Sequence, residues 1–469
     1  MNNTFVIEKY RFILPVIITL ISISVGLLSI YPLILLIFLT VLPFTAIVVF
    51  ISIKPDRFVG LLICYVIFQN FIAIIAAKYL GGDFSQFVII FKDVLVYLVL
   101  LFAFCINHRK FKLIAPDIFA FLYFFLLVIY LLVPNENGLF AMIVQFRQLI
   151  TPISLYLLGR FLLIKKSRVE VYLRVLVKIS VIAVIFGLVE RYLLGDAFWS
   201  TLGIKEYLIS KGMEVWSYGY GGVQGNFYTY DLYSIIGHPL RRMVSFVADP
   251  TLFGQFLVLP IVILLFTEIF NKKYRIYFSI ILIFGLLLTI SKGGVLSLLI
   301  ALTYKLFHSK YKVFGYFAII ILMIALAIIM NNASLFSSLP SHINGLVHNS
   351  MNIISKPFGS GLGSSGNFAV LFSTSSDSDI GSGESYIGMV LGQVGVFSIL
   401  FILFIVSLIL FYKKRIKHTI GNEKMNIVLI ATLLGVSLSS LISESAISFI
   451  SAGILFLISG LVTSDNNKS

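Results

Sequence analysis

The amino-acid sequence predicts an all-α, polytopic membrane protein, a bundle of about fourteen transmembrane helices with two large extracytoplasmic loops. Three observations lead there. The 469 residues are 59% apolar and only 12% charged, where soluble domains run at roughly 45–50% and about 25%. Mean hydropathy is +1.04, and apolar runs near the ~20 residues needed to cross a bilayer recur along the chain. Lysine and arginine gather in every second connector between those runs, as the positive-inside rule requires of cytoplasmic loops.

The predicted spans fall at 12–30, 32–53, 58–78, 86–106, 114–133, 148–164, 172–195, 249–270, 276–290, 293–308, 312–331, 386–412, 425–443 and 446–463. Starting inside at Lys9 and Arg11, alternation carries the basic clusters at 54–57, 109–112, 165–168, 272–275, 305–312 and 413–417 to the cytoplasmic side. The number of crossings is even, so both termini are expected in the cytoplasm. The first span runs directly into the second without a small-residue cleavage site, unlike a removable signal peptide. The formal charge of +15 is therefore a topology signal, and no nucleic acid is expected as partner. Cys64 and Cys105 both sit inside apolar runs and read as small core residues rather than a disulfide or metal pair. Residues 1–469 form a single integral membrane domain on this reading.

The two long connectors, 196–247 and 332–385, both fall outside. The first balances Lys205, Lys211, Arg241 and Arg242 against Asp196, Glu206, Glu214 and Asp231. Its middle is rich in glycine and aromatics, among them Trp216, Tyr220, Phe227, Tyr228 and Tyr233. The second is rich in serine and glycine. Loops of this length between closely spaced helices are usually functional or disordered, and the aromatic content of the first argues for function. No phosphate-binding P-loop, Cys/His metal cluster, zinc-peptidase or serine-hydrolase motif interrupts the apolar pattern. No metal site or cofactor is expected.

Four constellations carry chemistry. Arg241 and Arg242 stand together at the outer edge of span 249–270, in a segment running from His238 to Gly254 that includes Ser245 and Asp249. Adjacent guanidiniums repel unless an anion lies between them, and arginine binds phosphate oxygens as a fork. The alternative is anchoring to lipid headgroups. Arg147, at the outer start of span 148–164, and Lys292, in the polar break Thr289–Gly294, place two more cations on the face the chain otherwise keeps free of them. Jointly they point to an anion site opening outward. The glycines of segment 356–366 permit tight turns that present amides to an oxyanion, a weak signal by itself. Glu384, just before span 386–412, is a candidate general base or, alternatively, a helix cap. His342 and His348 compete for the same role. Lys92 and Asp93 inside span 86–106 read as structural pairs to neighbouring spans. Glu190 and Arg191 stay open between structure and function.

In order and sidedness these motifs resemble the superfamily of O-antigen ligases and O-antigen or capsule repeat-unit polymerases of the Wzy type. The resemblance covers roughly residues 86–412. It rests on Arg242-x-x-Ser245-Phe, Asp249-Pro-Thr-x-Phe-Gly254, Thr289-x-Ser-Lys-Gly293, Pro357-Phe-Gly-x-Gly-Leu-Gly363, Glu384-Ser385 and Gln393-x-Gly395. Two positions depart from it: Lys292 replaces an arginine, and Glu384-Ser385 stands where ligases carry His-Asn. The second departure favours a polymerase over a ligase.

The resemblance implies a fold of the GT-C-like kind and a glycosyltransferase in the bacterial cytoplasmic membrane. Its donor and acceptor would be polyprenyl-diphosphate-linked oligosaccharides among membrane lipid, with a chain-length regulator protein as partner. Arg242 and Arg147 would hold the donor diphosphate, supported by Arg241 and Lys292. Glu384 would be the base with His342 or His348 in reserve, and Ser245 and Asp249 would contact substrate. Trp216 and Tyr220 would stack on sugar faces. Replacing Arg242 is expected to leave the fold intact. The rival readings are ligase-type transfer to another acceptor and, from a different class, a transporter of lipid-linked glycans. A transporter should show paired discontinuous helices and charges near mid-membrane.

Overall fold

In lipid a backbone satisfies its own amides most readily as helix, and the described residues are almost entirely helical. The computed structural model describes residues 55–213, 223, 225–231, 233–308, 312–320, 339–367, 384–418 and 423–464. The chain divides into two compact units, Met1–Phe58 and Val59–Ser469. Predicted spans 12–30 and 32–53 lie outside the described residues, as do Trp216 and Tyr220.

The principal helices are α1 (Pro55–Leu80), α2 (Gly82–Asn107), α3 (Ala115–Leu132), α4 (Leu139–Leu162) and α5 (Lys166–Val189). A single π turn, Glu190–Leu194, joins α5 to α6 (Gly195–Leu202), and α7 (Ile204–Ser210) follows. After the short α8 (Tyr233–Ile236) come α9 (Pro250–Phe266), α10 (Lys272–Thr289) and α11 (Lys292–Phe307). The rest are α12 (Leu339–Ser355), α13 (Tyr386–Val394), α14 (Ile399–His418), α15 (Glu423–Ser439) and α16 (Gly453–Ser464). Among the described residues six helical stretches are long and apolar enough to cross a membrane: Arg57–Leu80, Gly82–Lys110, Ala115–Leu132, Leu139–Leu162, Ser167–Leu202 and Tyr386–Ile416. This suits a helical membrane protein.

Several elements differ from the sequence reading. Helix α4 begins at Leu139, so Arg147 lies inside the helix and not at its mouth. The predicted span 386–412 is broken at Gly395, whose φ of 57° ends α13 before a 3₁₀ turn leads into α14. Helix α16 starts only at Gly453, because the chain turns through Glu444–Ala446 first. The first long loop is largely built structure. Its α6 and α7 bury Trp199, Ile204, Tyr207 and Leu208 against Ala73 and Ala77 of α1 and Val88 of α2. Its chain also forms a two-residue hairpin in which Tyr228 pairs with Arg241 and Thr229 with Leu240. The second loop contributes the amphipathic α12. Cys64 is half-buried and Cys105 exposed, so only the first resembles the expected core residue.

One end of the bundle is closed by a buried ion pair. Arg160 donates from Nε and Nη2 to the two oxygens of Asp117 at 2.9 and 2.7 Å, and both side chains are fully buried. Tyr156 donates to the same carboxylate at 2.7 Å. The remaining donors of Arg160 reach the carbonyls of Thr463 and Lys112 at 3.1 and 2.8 Å. The approach of α16 that this needs is possible only because Gly159 and Gly460 face each other. A Cβ on Gly460 would stand 2.0 Å from the Tyr156 carbonyl.

Candidate anion and acid–base site

Arg147 lies about 20 Å along α4 from Arg160 at 1.5 Å per residue, and in its neighbourhood most of the sequence-predicted polar residues come together. The scaffold is local capping chemistry. Asp249 is the N-cap of α9, with Pro250 in the first helical position where a missing N–H costs nothing. Its Oδ1 accepts from the amides of Thr251 and Leu252 at 2.8 and 2.9 Å and from the Thr251 hydroxyl at 2.6 Å. Its Oδ2 accepts from Asn226 Nδ2 at 2.8 Å. Ser291 caps α11 by accepting from the Gly294 amide. The two capped ends interlock, since a Cβ on Gly254 would come within 2.3 Å of Ser291.

Arg242 is buried across this junction. It donates from Nε to the carbonyl of Thr289 at 2.9 Å, and from its terminal nitrogens to Ile290 and Asn226 at 3.3 Å each. Thr289 and Ile290 end α10, with Ile290 left-handed at φ 49°, so the guanidinium satisfies carbonyls that a helix terminus leaves orphaned. Burial pulls its pKa below the usual guanidinium range, while Asp249, Asp231 and Glu384 oppose the shift. All three carboxylates thus act on it electrostatically. Asp231 also pairs with Lys292 at 2.8 Å.

Arg241 points elsewhere. It binds Glu190 at 2.5 Å and Asp196 at 2.8 Å, with its guanidinium over the rings of Phe227 and Tyr228. Glu190, itself buried, also accepts from the Trp199 indole at 2.8 Å. This pins the first loop to the π turn. Arg191 donates to Leu288 at 2.8 Å. Ser245 is fully buried at a positive φ of 52° and donates its hydroxyl to the Ala183 carbonyl.

Arg147 is held differently. Its one described ion pair is from Nε to Asp93 Oδ2 at 3.4 Å, and its terminal guanidinium nitrogens make no described hydrogen bond. Lys92 reaches the same carboxylate oxygen at 3.5 Å and donates to Ile89 O at 2.7 Å. Adjacent residues of one helix thus meet, contrary to the expectation that they diverge to separate neighbours; the lysine stem is long enough to fold back along its own turn.

Glu384 is half-buried two residues before α13, and the cap of that helix is Ser385, which accepts from the Gly388 amide at 2.9 Å. The carboxylate is therefore not the cap. Near it in electrostatic reach is a residue the sequence reading passed over, Glu444. Glu444 is 6% exposed and accepts from Gln148 Nε2 at 3.0 Å and from the Asn367 amide at 2.9 Å. Burial raises its pKa, those two hydrogen bonds resist, and the charge of Glu384 adds to the rise. A lone glutamate between two apolar spans was the available signal.

The glycine segment of the second loop is committed to packing. The amides of Ser360 and Gly361 donate to the carbonyls of Gly392 and Gln393, and the Gly363 amide to the Gln393 side chain. Gly359, Gly361 and Gly363 all have positive φ, which is what lets the backbone lie in the α13–α14 break. His348 is exposed on α12 near Asn352, and His342 lies on the same helix. Among the described residues no group of three His, Cys, Asp or Glu side chains is placed to hold a metal ion.

No family model, curated protein or solved structure matches this chain. Arg242, Lys292, Glu384 and Asp249 share one polar region with Arg147 nearby. Arg241 and Ser245 serve neighbouring joints, and the histidines stand on a separate helix.

Proposed function

We propose that the chain is a membrane glycosyltransferase that polymerises polyprenyl-diphosphate-linked oligosaccharide repeat units at the outer face of the bacterial cytoplasmic membrane. The fourteen-span topology, the GT-C-like fold and both cytoplasmic termini belong to the same proposal. The observation that supports it best is the meeting, at one end of the bundle, of an arginine with uncommitted donors (Arg147) and carboxylates beside a second buried arginine (Glu384 and Asp231 around Arg242).

A diphosphate is a good leaving group, so the reaction needs cations for the departing anion and a base for the attacking hydroxyl. In the proposed step an acceptor sugar oxygen attacks the anomeric carbon of the donor. The bond from that carbon to the diphosphate oxygen breaks with its electron pair leaving on phosphate, and the hydroxyl proton passes to Glu384. One displacement inverts the anomeric centre. Arg147 and Arg242 face the developing charge, with Lys292 supporting, and no metal is required. The acceptor is a second lipid-linked chain, and a chain-length regulator is the expected protein partner.

The test is direct. Purified protein given a lipid-linked oligosaccharide should produce a ladder of longer products in the presence of a strong chelator. Absence of any extension, or extension that needs added magnesium or manganese, would refute the reading.

A further inference from the structure

The arginine pair first marked for anion binding is engaged by the protein itself, Arg241 by two carboxylates and Arg242 by three carbonyls. The surplus of positive charge lies a short way off, where α2, α4 and the end of α7 meet. Lys92 is 5% exposed, and its ammonium lies 5.1 Å from the Phe449 ring centre. Arg147 shares Asp93 with it. Lys211, just past α7, sits 4.1 Å above the ring of the buried Tyr207 and within electrostatic range of Arg147, Lys92 and Asp249.

With Lys211 in electrostatic range of both, Lys92 and Arg147 thus share one oxygen of Asp93. Neither contact to its Oδ2 is a hydrogen bond, and that oxygen is buried without one. Asp249 adds charge from a distance, but both its oxygens already serve the α9 cap and Asn226. Ring faces compensate an ammonium only by about 0.5–2 kcal/mol. Lys92 is buried and the other two cations are partly exposed, and like charges gathered in a partly desolvated place repel unless an anion joins them.

We infer that Lys92, Arg147 and Lys211 form a binding site for a phosphoryl oxyanion, with a diphosphate as the form that best matches their number. Arg147 offers its fork and the two lysines offer point charges, a combination that suits tetrahedral oxygens. The assignment of that anion to a lipid-linked sugar diphosphate rests on the function proposed above. The site itself rests on the side chains. Asp93 then fixes the spacing, bridging Lys92 and Arg147 through one oxygen until the anion enters.

The experiment titrates the purified full chain in neutral detergent with inorganic diphosphate, by calorimetry. Wild type should bind, Lys92→Gln and Lys211→Gln should each weaken binding by about tenfold, the worth of one charge-assisted contact, and the double variant by more. Lys92→Arg and Lys211→Arg should retain it, which separates lost charge from a damaged fold. Lys424→Gln, remote and exposed in its pair with Glu268, should bind as wild type. A wild type that does not bind diphosphate, or a double variant that binds it equally well, overturns the site.

Nanodiscs of phosphatidylcholine with and without phosphatidylglycerol separate the sources. Displacement of diphosphate by the anionic lipid assigns the site to a bilayer headgroup, and undiminished binding assigns it to a diphosphate ligand; either supports a phosphoryl site. Lysine-dependent binding without any oligosaccharide extension would keep the site and remove the glycosyltransferase reading. Extension unchanged in the double variant would do the reverse.

Discussion

Replacing Arg242 by alanine should destabilise the fold as well as impair any reaction. From sequence alone an arginine at a membrane mouth carries little packing, and its loss should be silent structurally. In the structure it is 8% exposed and tied to three backbone carbonyls from two segments. The Thr289 bond, at 2.9 Å, is a full charge-assisted hydrogen bond, and the two at 3.3 Å are weaker. At about 1.5–3 kcal/mol for a bond to a charged group, one strong and two partial bonds amount to about 3–5 kcal/mol. That is a large share of the roughly 5–15 kcal/mol that holds a typical domain. Arg242→Lys, with a single point charge, should recover only the Thr289 contact. The measurement is unfolding of purified variants in mixed micelles as the SDS fraction rises, followed by tryptophan fluorescence. A shift of Arg242→Ala to clearly lower SDS, with the lysine variant between, is expected. An unfolding midpoint equal to wild type would refute the capping role and return Arg242 to a purely ligand-facing one.

Three further outcomes follow from the same geometry. Glu384→Gln should abolish chain extension in a protein that still folds, whereas Ser385→Ala should cost about 1 kcal/mol through the lost cap and leave extension measurable; a folded Glu384→Gln variant that still extends the chain would exclude Glu384 as the base. Gly395→Ala should destabilise by about 2–4 kcal/mol, because a Cβ would stand 2.1 Å from the Pro357 carbonyl on a backbone at φ 57°, and limited proteolysis should then cut near the displaced glycine segment. Burial lowers Lys211 to about 8, Asp249 opposing and Arg147 adding, with Lys92 also in range. The ammonium is thus present below that pH and lost above it, so diphosphate affinity should fall as pH rises through about 8, by about tenfold if one contact is lost. Calorimetry across pH 6.5–9.5 should show that fall in wild type relative to Lys211→Gln, and parallel profiles would exclude Lys211 as the titrating group.

The helical class was legible because hydrophobic run length is a local property. The ends of helices were less so. Nothing in the run 139–147 distinguishes loop from helix by hydropathy, since Gln145 and Arg147 interrupt it, yet α4 continues through both. The 386–412 run looked continuous because Gly395 is read as tolerable inside a helix; its break is imposed by the glycine segment lying across it. For the site, sequence order identified which segments meet, and the Gly254–Ser291 contact shows two of the noted motifs built against each other. It did not distinguish which cation is neutralised by its own protein. Arg241 and Arg147 look alike in sequence, and only the position of Glu190 and Asp196, about fifty residues before Arg241, separates them. Lys92, Lys211 and Glu444 were hidden for the same reason, because their significance depends on neighbours distant along the chain.

The Arg160–Asp117 knot has a consequence for how the molecule is made. Arg160 donates to Thr463, 303 residues downstream, and ribosomes add roughly 5–20 residues per second. From the moment α4 is synthesised, about 15–60 s pass before α16 exists to supply that carbonyl and to seat Gly460 against Gly159. Throughout that interval a buried-type ion pair waits half-assembled in a nascent bundle with an open flank. The nascent protein should depend most on insertion machinery and membrane chaperones during this window, and a block in making α16 should send the whole chain to proteolysis rather than yield a shortened bundle.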